Sequence, residues 1–252
     1  MSSPEAKNIT VYFKLIVDRV IYLVLYVDDM LLIGNDKEII QYLKTQWFSK
    51  LDMKDLGATN YILGMEIKRD WEKRKLWLNQ RKYVDTILQR FNIQESKPVN
   101  VSIPVGTKLS AEHFPKTQEE EEDMSSAPYA SAVGSLMYAM VCTRPDIAHA
   151  VGVLRRFVAN PGKEHWTAVK WVFRYLCGTS DYGLCYQGRP GLERVLDIHG
   201  FFDADWAGDL EKMLEIHGFF YADWDGDLDQ RRSTSGYVFS LFGGAVSWMS
   251  KR

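Results

Sequence analysis

Cysteine is scarce in this chain. Cys142, Cys177 and Cys185 are the only three thiols in 252 residues. They show no C-x-x-C spacing and cannot all pair, which excludes a disulfide framework and predicts reduced, buried structural thiols in an intracellular protein. A long hydrophobic run is missing too. The longest, Val20 to Val27, is eight residues and ends on two aspartates; a bilayer span needs ~20, so this run reads as a buried strand and no membrane partner is expected. Charge of one sign is not in excess, with 31 Lys+Arg against 33 Asp+Glu and a formal net charge of -2. No global cationic field therefore attracts a phosphate backbone, and any nucleic-acid contact must be local. Residues 1–14 lack the basic, apolar and small-residue succession of a secretory leader, and the expectation is a cytoplasmic or nuclear protein. What the chain does have is 46% hydrophobic residues, enough to bury a sizeable core.

Val11 to Val17 and Val20 to Val27 are rich in β-branched and aromatic residues. They predict a hairpin joined by Asp18-Arg19. Asp28-Asp29 then separates the second strand from Met30 to Ile33, which closes on the turn residues Gly34-Asn35, so the acidic pair sits at a strand-turn-strand tip. Asp36 is an N-cap candidate for an amphipathic helix carrying Ile39, Ile40, Leu43 and Trp47. Residues 61–67 and 75–78 predict two strands around a charged turn at 70–74, and Tyr83, Val84, Ile87, Leu88 and Phe91 mark one face of a following helix. Residues 95–127 lose periodicity and carry Pro98, Pro104, Pro115 and the acidic run Glu119 to Asp123; a solvated linker is preferred over an acidic interaction tail. Helices are expected near 129–141, 145–158 and 163–177. Short strands follow at 184–186, 199–202, 237–242 and 245–248.

An internal repeat interrupts the last region. Leu196 to Leu210 recurs 18 positions later as Leu214 to Leu228, differing only at Asp197/Glu215, Asp203/Tyr221 and Ala207/Asp225. Two adjacent copies of this length do not make a solenoid, so a local tandem duplication is the simpler reading. The exchange of Asp203 for Tyr221 removes a carboxylate and makes the copies chemically unequal. Either copy could fill the same strand position, since 18 extra loop residues cost only on the order of 1 kcal/mol.

Tyr26-Val27-Asp28-Asp29 inside an apolar hairpin is similar to the Tyr-x-Asp-Asp element of reverse transcriptases. Its extended form, Leu25 to Gly34, resembles the copia-type LTR retrotransposon Pol polyproteins, as do Asp55-Leu56-Gly57 and Ile62 to Ile67. Pro128 to Tyr138, Thr143 to Ala148 and Asn160 to Trp166 resemble the stretch between polymerase palm and ribonuclease H in that family. Asp203 to Asp209, Arg231 to Tyr237 and Ser247-Trp248 resemble the first strands of its ribonuclease H domain. Nearly the whole chain is covered, in family order.

The resemblance implies an α+β chain: a partial palm with thumb-like helices over 1–94, a linker over 95–127, a helical connection over 128–181 and an incomplete ribonuclease H-like α/β unit over 182–252. The parent would be an RNA-directed DNA polymerase with ribonuclease H, using Mg²⁺, deoxynucleotides and an RNA or DNA template-primer. Asp28 would be a metal ligand with Asp29 beside it, and Asp203 would match the first ribonuclease H aspartate and bind metal there. Two-metal nucleotidyl transfer needs carboxylates holding ions ~3.5 to 4 Å apart. A further aspartate is implied upstream of Tyr26, where only Glu5 and Asp18 are acidic. A fragment that is inactive by itself is therefore expected. The alternative is a non-catalytic nucleic-acid or protein-binding remnant.

Other polar groups carry less. His199 and His217 each lie on one expected strand with no third ligand at metal spacing, and read as structural. Lys163, His165, Lys170 and Arg174 are expected on the polar side of the 163–177 helix, as a solvated face in preference to a backbone-tracking surface. Arg144-Pro145-Asp146 predicts a helix start.

Overall fold

The computed structural model describes residues 10–16, 19–104, 106–188, 198–203 and 235–251. The chain forms mixed helix and sheet and divides into two compact units, Met1–Thr59 and Asn60–Arg252; the expected palm-and-thumb segment of residues 1–94 spans that division.

In the first unit, Thr10–Ile16 (β1), Arg19–Tyr26 (β2) and Asp29–Gly34 (β3) form an antiparallel sheet in the order β1-β2-β3. Ile16 pairs with Arg19, so Arg19, expected in the turn, is already in the strand. Strand β2 pairs with β3 from Ile21↔Gly34 to Tyr26↔Asp29. Gly34 is required by proximity, since a Cβ there would lie 2.9 Å from the Val20 carbonyl oxygen. Lys37–Phe48 (α1) follows, and Asp36 caps it as expected: its Oδ1 accepts from the backbone N–H of Glu38 at 2.8 Å and of Ile39 at 3.2 Å. The same carboxylate meets the Arg19 guanidinium at 3.0 Å, tying helix entry to the start of β2.

The second unit opens with Tyr61–Ile62 (β4), Met65–Asp70 (β5) and Lys75–Asn79 (β6). The single strand expected over 61–67 is instead a tight hairpin, with Tyr61↔Glu66 and Ile62↔Met65 paired across Leu63-Gly64. Both turn residues have positive φ, 49° and 70°, the conformation of a type I′ turn, which reverses the chain in two residues. Gly64 adopts it freely. Leu63 does not, and its carbonyl is held by the Tyr138 hydroxyl.

Arg81–Arg90 (α2), Tyr129–Cys142 (α4), Ala148–Leu154 (α5) and Lys163–Gly178 (α6) enclose the core. Val84, Leu136, Val151, Val169 and Phe173 are each at most 1% exposed. These helices fall where apolar periodicity predicts them, with a single turn of 3-10 helix at Pro145–Ile147 before α5 and another at Arg155–Phe157 after it.

Residues 95–127 are more ordered than a solvated linker. The acidic run lies in Gln118–Ser125 (α3), where the Thr117 hydroxyl accepts from Glu120 N–H and the acids occupy the first turn, against the positive end of the helix dipole. Leu109, Ser110 and Met124 are buried. The segment is also fastened to α6: the Arg174 Nε donates to the Lys97 carbonyl at 2.8 Å and the Trp171 Nε1 to the Val101 carbonyl at 3.0 Å.

Gly183–Gln187 (β7) joins the first sheet of this unit, giving β4-β5-β6-β7, with Trp77↔Cys185 in register. Ile198–Asp203 (β8), Ser235–Leu241 (β9) and Gly244–Lys251 (β10) form a separate antiparallel sheet in the order β10-β9-β8. This sheet docks on the helices through β10, where the Trp248 Nε1 donates to the Met140 carbonyl at 2.9 Å. Strand β8 comes from the first copy of the repeat, with Phe202↔Tyr237 and Asp203↔Gly236 paired. The second copy, with His217 and Tyr221, lies outside the described residues.

Candidate active site

The Tyr26-Val27-Asp28-Asp29 segment is the β2–β3 turn. Tyr26 and Asp29 are the last paired residues, so Val27 and Asp28 form a two-residue loop. Val27 has φ 53° and Asp28 does not share the positive sign. Positive φ at the first central residue alone is the signature of a type II′ turn, a position that favours glycine. A β-branched residue there is strained by about 1–2 kcal/mol, and the ladder from Ile21↔Gly34 to Tyr26↔Asp29 is what holds it. Val27 is 59% exposed, and Asp28 and Asp29 are exposed at the tip. The rigid strands thus fix a carboxylate pair that projects beyond the sheet, as a metal or cationic ligand requires.

Whether these residues suffice for Mg²⁺ is a question of donor count. Among the described residues, no group of three or more His, Cys, Asp or Glu side chains could hold a metal ion. The Asp28–Asp29 pair stands at the turn without a third such side chain grouped with it among the described residues. Asp203 lies at the end of β8, in the other compact unit from Asp28.

Asp55-Leu56-Gly57 has its own architecture. The Asp55 carboxylate receives both a bidentate ion pair from Lys44, at 3.0 and 2.9 Å, and the Gly57 N–H at 2.9 Å. The Lys44 hydrogen bond and then the Gly57 N–H hold the Asp55 carboxyl below the ordinary carboxylate range. The loop after α1 is thereby tethered back to the helix.

Arg144 is a structural residue that the sequence showed only as part of a helix start. It is 1% exposed. Its Nη2 lies 2.7 Å from Asp146 Oδ2 and 2.7 Å from Thr179 Oγ1, while Nη1 donates to the Thr179 carbonyl at 2.8 Å. Tyr175 donates its hydroxyl to Asp146 at 2.9 Å and, with Tyr182, flanks the guanidinium. The network joins the start of α5 to the end of α6. A signal was present, an Arg-Pro-Asp triplet inside an otherwise apolar stretch, where a charge is buried only with partners.

His165 corrects the expected polar face of α6. It is fully buried, its Nδ1 accepts from Gly162 N–H at 2.9 Å, and its ring stacks on Phe157 at 4.1 Å between centroids. His165 therefore belongs to the helix entry, and Trp171 and Arg174 to the packing against residues 97–101. The three cysteines are free, as expected, but half-buried. No helix among the described residues is long and apolar enough to cross a membrane.

Comparison with known proteins gives these features a common setting. The family model described as reverse transcriptase (RNA-dependent DNA polymerase) matches residues 3–105. The chain is 50% identical over 242 residues to a retrovirus-related Pol polyprotein from transposon TNT 1-94 of Nicotiana tabacum, covering 96% of this chain and 16% of that one. It is 36% identical over 190 residues to the Pol polyprotein from transposon RE2 of Arabidopsis thaliana, covering 75% of this chain and 12% of that protein. An uncharacterized mitochondrial protein of Arabidopsis thaliana is 33% identical over 189 residues, 74% of this chain and 72% of its own length. The chain thus spans under a fifth of the two polyproteins. No solved structure matches it. Motif order, the Tyr-x-Asp-Asp turn and these identities agree, and the chain belongs to the reverse transcriptase family of retrovirus-related, copia-type Pol polyproteins.

Proposed function

We propose that this chain supplies the second carboxylate element of an RNA-directed DNA polymerase together with the segments that follow it, and that it does not polymerise DNA by itself. The observation that carries the reading is the β2–β3 turn, in which a strained Val27 presents Asp28 and Asp29 beyond the sheet within the matched residues 3–105. In this reading residues 1–94 are palm and thumb-like, 95–127 connect them to a helical connection over 128–181, and 182–252 begin a ribonuclease H-like unit in which Asp203 would be the first acidic ligand. Asp28 would bind Mg²⁺, which in such sites stabilises charge on the attacking and leaving oxygens. Asp29 and the flanking strands position that carboxylate.

In this reading the isolated chain does not extend a primer. Primer extension with purified protein, a primed RNA or DNA template, deoxynucleotides and Mg²⁺ or Mn²⁺ tests this. No extension is expected. Extension that disappears in Asp28→Asn would show a complete centre and refute the proposed inactivity. Template-primer binding that Mg²⁺ strengthens in the wild-type chain but not in Asp28→Asn supports the metal role of Asp28, whereas binding indifferent to both metal and substitution is the outcome of the alternative reading, a non-catalytic nucleic-acid-binding remnant.

A further inference from the structure

One face of the β4-β5-β6-β7 sheet combines cations and aromatic rings in a way that neither the catalytic turn nor the core explains. Side chains two apart on a strand share a face. With Lys68↔Trp77, Asp70↔Lys75 and Trp77↔Cys185 in register, Lys68, Lys75 and Trp77 lie together on one side. Leu76, Leu78, Leu184 and Tyr186 lie on the other, where Leu184 is buried and the Tyr186 hydroxyl donates to the Ala245 carbonyl. The Lys68/Trp77 side is thus the outward one.

The indole of Trp77 is bracketed by two ammonium groups, Lys68 Nζ at 5.9 Å and Lys75 Nζ at 6.0 Å from its centroid. At the neighbouring strand, Lys82 Nζ lies 5.3 Å from the ring of Tyr61, which is 51% exposed. Beyond the β5–β6 tip, Trp71 is 82% exposed and Lys73 is exposed beside it. Besides Arg69, which pairs with Leu76 on the other face, residues 68–77 hold four cationic side chains, Lys68, Lys73, Arg74 and Lys75, against Glu72 and Asp70, the latter 3.8 Å from the Lys73 ammonium, within a chain whose formal net charge is -2. A large exposed indole in a local cationic patch is a costly surface for water alone and suits a polyanion carrying flat rings.

We propose that this face and tip bind a single-stranded nucleic acid, with Lys68, Lys73 and Lys75 contacting successive phosphates and Trp71 stacking on a base. The surface rests on the reading of the chain as a polymerase segment and extends it by naming where an unpaired strand runs. Sequence preference is not expected, because every base offers a stacking face and lysine contacts phosphate as a point charge.

The test is fluorescence anisotropy with a fluorescein-labelled oligothymidylate and, separately, a labelled template-primer duplex, on the full chain at low salt. The Lys68→Gln/Lys73→Gln/Lys75→Gln variant should bind the single strand about tenfold or more weakly. Its log affinity against log salt should flatten by about 2, at ~0.7 for each single-strand phosphate that lysine no longer neutralises. Trp71→Ala, whose side chain is solvent-facing, should weaken binding about fivefold or more without altering the salt slope. Wild-type affinity and slope in both variants, with the wild-type chain binding, would overturn the surface while leaving the polymerase reading intact. A wild-type chain that binds neither oligonucleotide would defeat both. Displacement of the oligothymidylate by poly-glutamate of equal charge, with Trp71→Ala silent, would assign the patch to an acidic polypeptide instead.

Discussion

At the scale of single residues, the Tyr26–Asp29 turn and the buried groups obey different constraints. Val27 sits at φ 53°, where glycine is the unstrained choice. Left-handed backbone costs a β-branched residue about 1–2 kcal/mol, against about 0.5–1 kcal/mol of extra chain entropy for glycine. Val27→Gly should therefore leave stability unchanged or raise it by up to about 1 kcal/mol, read as an equal or higher urea midpoint at unchanged slope. A loss of more than about 1 kcal/mol would mean that the turn is not strained as described. Cys142 offers a pH-dependent readout. Burial pushes its thiol above the ordinary range, opposed in part by a hydrogen bond with Tyr138. A raised pKa means less thiolate at a given pH, so alkylation of Cys142 by iodoacetamide at about pH 8 should be slower than in the urea-unfolded chain, and its pH–rate midpoint should lie higher. Equal rates in the two states, followed by peptide mass spectrometry, would contradict that burial. Neither Val27 nor Cys142 is conspicuous in the sequence; one is set by a ladder on both sides of it and the other by helix packing.

Among the elements, periodicity located α1, α2, α4 and α6 because one face of each carries regularly spaced apolar residues, and Asp36 was legible as a cap because its chemistry is local. What escaped was decided by partners distant in sequence. The Leu63-Gly64 reversal is locked by Tyr138, 75 residues away, and the 97–101 strip by Trp171 and Arg174. Helix α3 escaped for another reason: a run of acids reads as a solvated connection until a capping threonine and a buried Met124 anchor it. The duplicated strand is the clearest case, since Ile198–Phe202 and Ile216–Phe220 are identical and pairing alone distinguishes them. With Asp203 opposite Gly236, paired Cα atoms in an antiparallel ladder approach ~4.5 to 5.5 Å, within disulfide reach. In a background with the native cysteines changed to serine, Asp203→Cys with Gly236→Cys should cross-link on mild oxidation. If Tyr221→Cys with Gly236→Cys cross-links in its place, the second copy fills the strand.

Across the whole molecule, the two compact units differ in how much they bury. Among the described residues of the first unit only Ile21 is buried, and α1 has no buried side chain, whereas the second unit encloses a continuous core from Val84 to Leu176. Local stability follows burial. Amides of α1 should exchange with deuterium on the order of 100-fold faster than those of α4 and α6, and equal protection in exchange mass spectrometry would refute the contrast. The Tyr26–Asp29 turn thus belongs to the less deeply packed unit, whose strand pairing rather than core holds Asp28 in place. By itself the sequence determined the family, the order of motifs, helices α1, α2, α4, α5 and α6, and the place of the aspartate pair at a strand-turn-strand tip, because periodicity, caps and turn chemistry act over a few residues. Tertiary structure alone decided which repeat copy pairs with β9, that β7 extends the β4–β6 sheet, that Arg144 and His165 are buried, and that Lys68, Lys75 and Trp77 share one outward face. Those outcomes depend on register and packing between segments far apart in the chain, which local pattern does not encode.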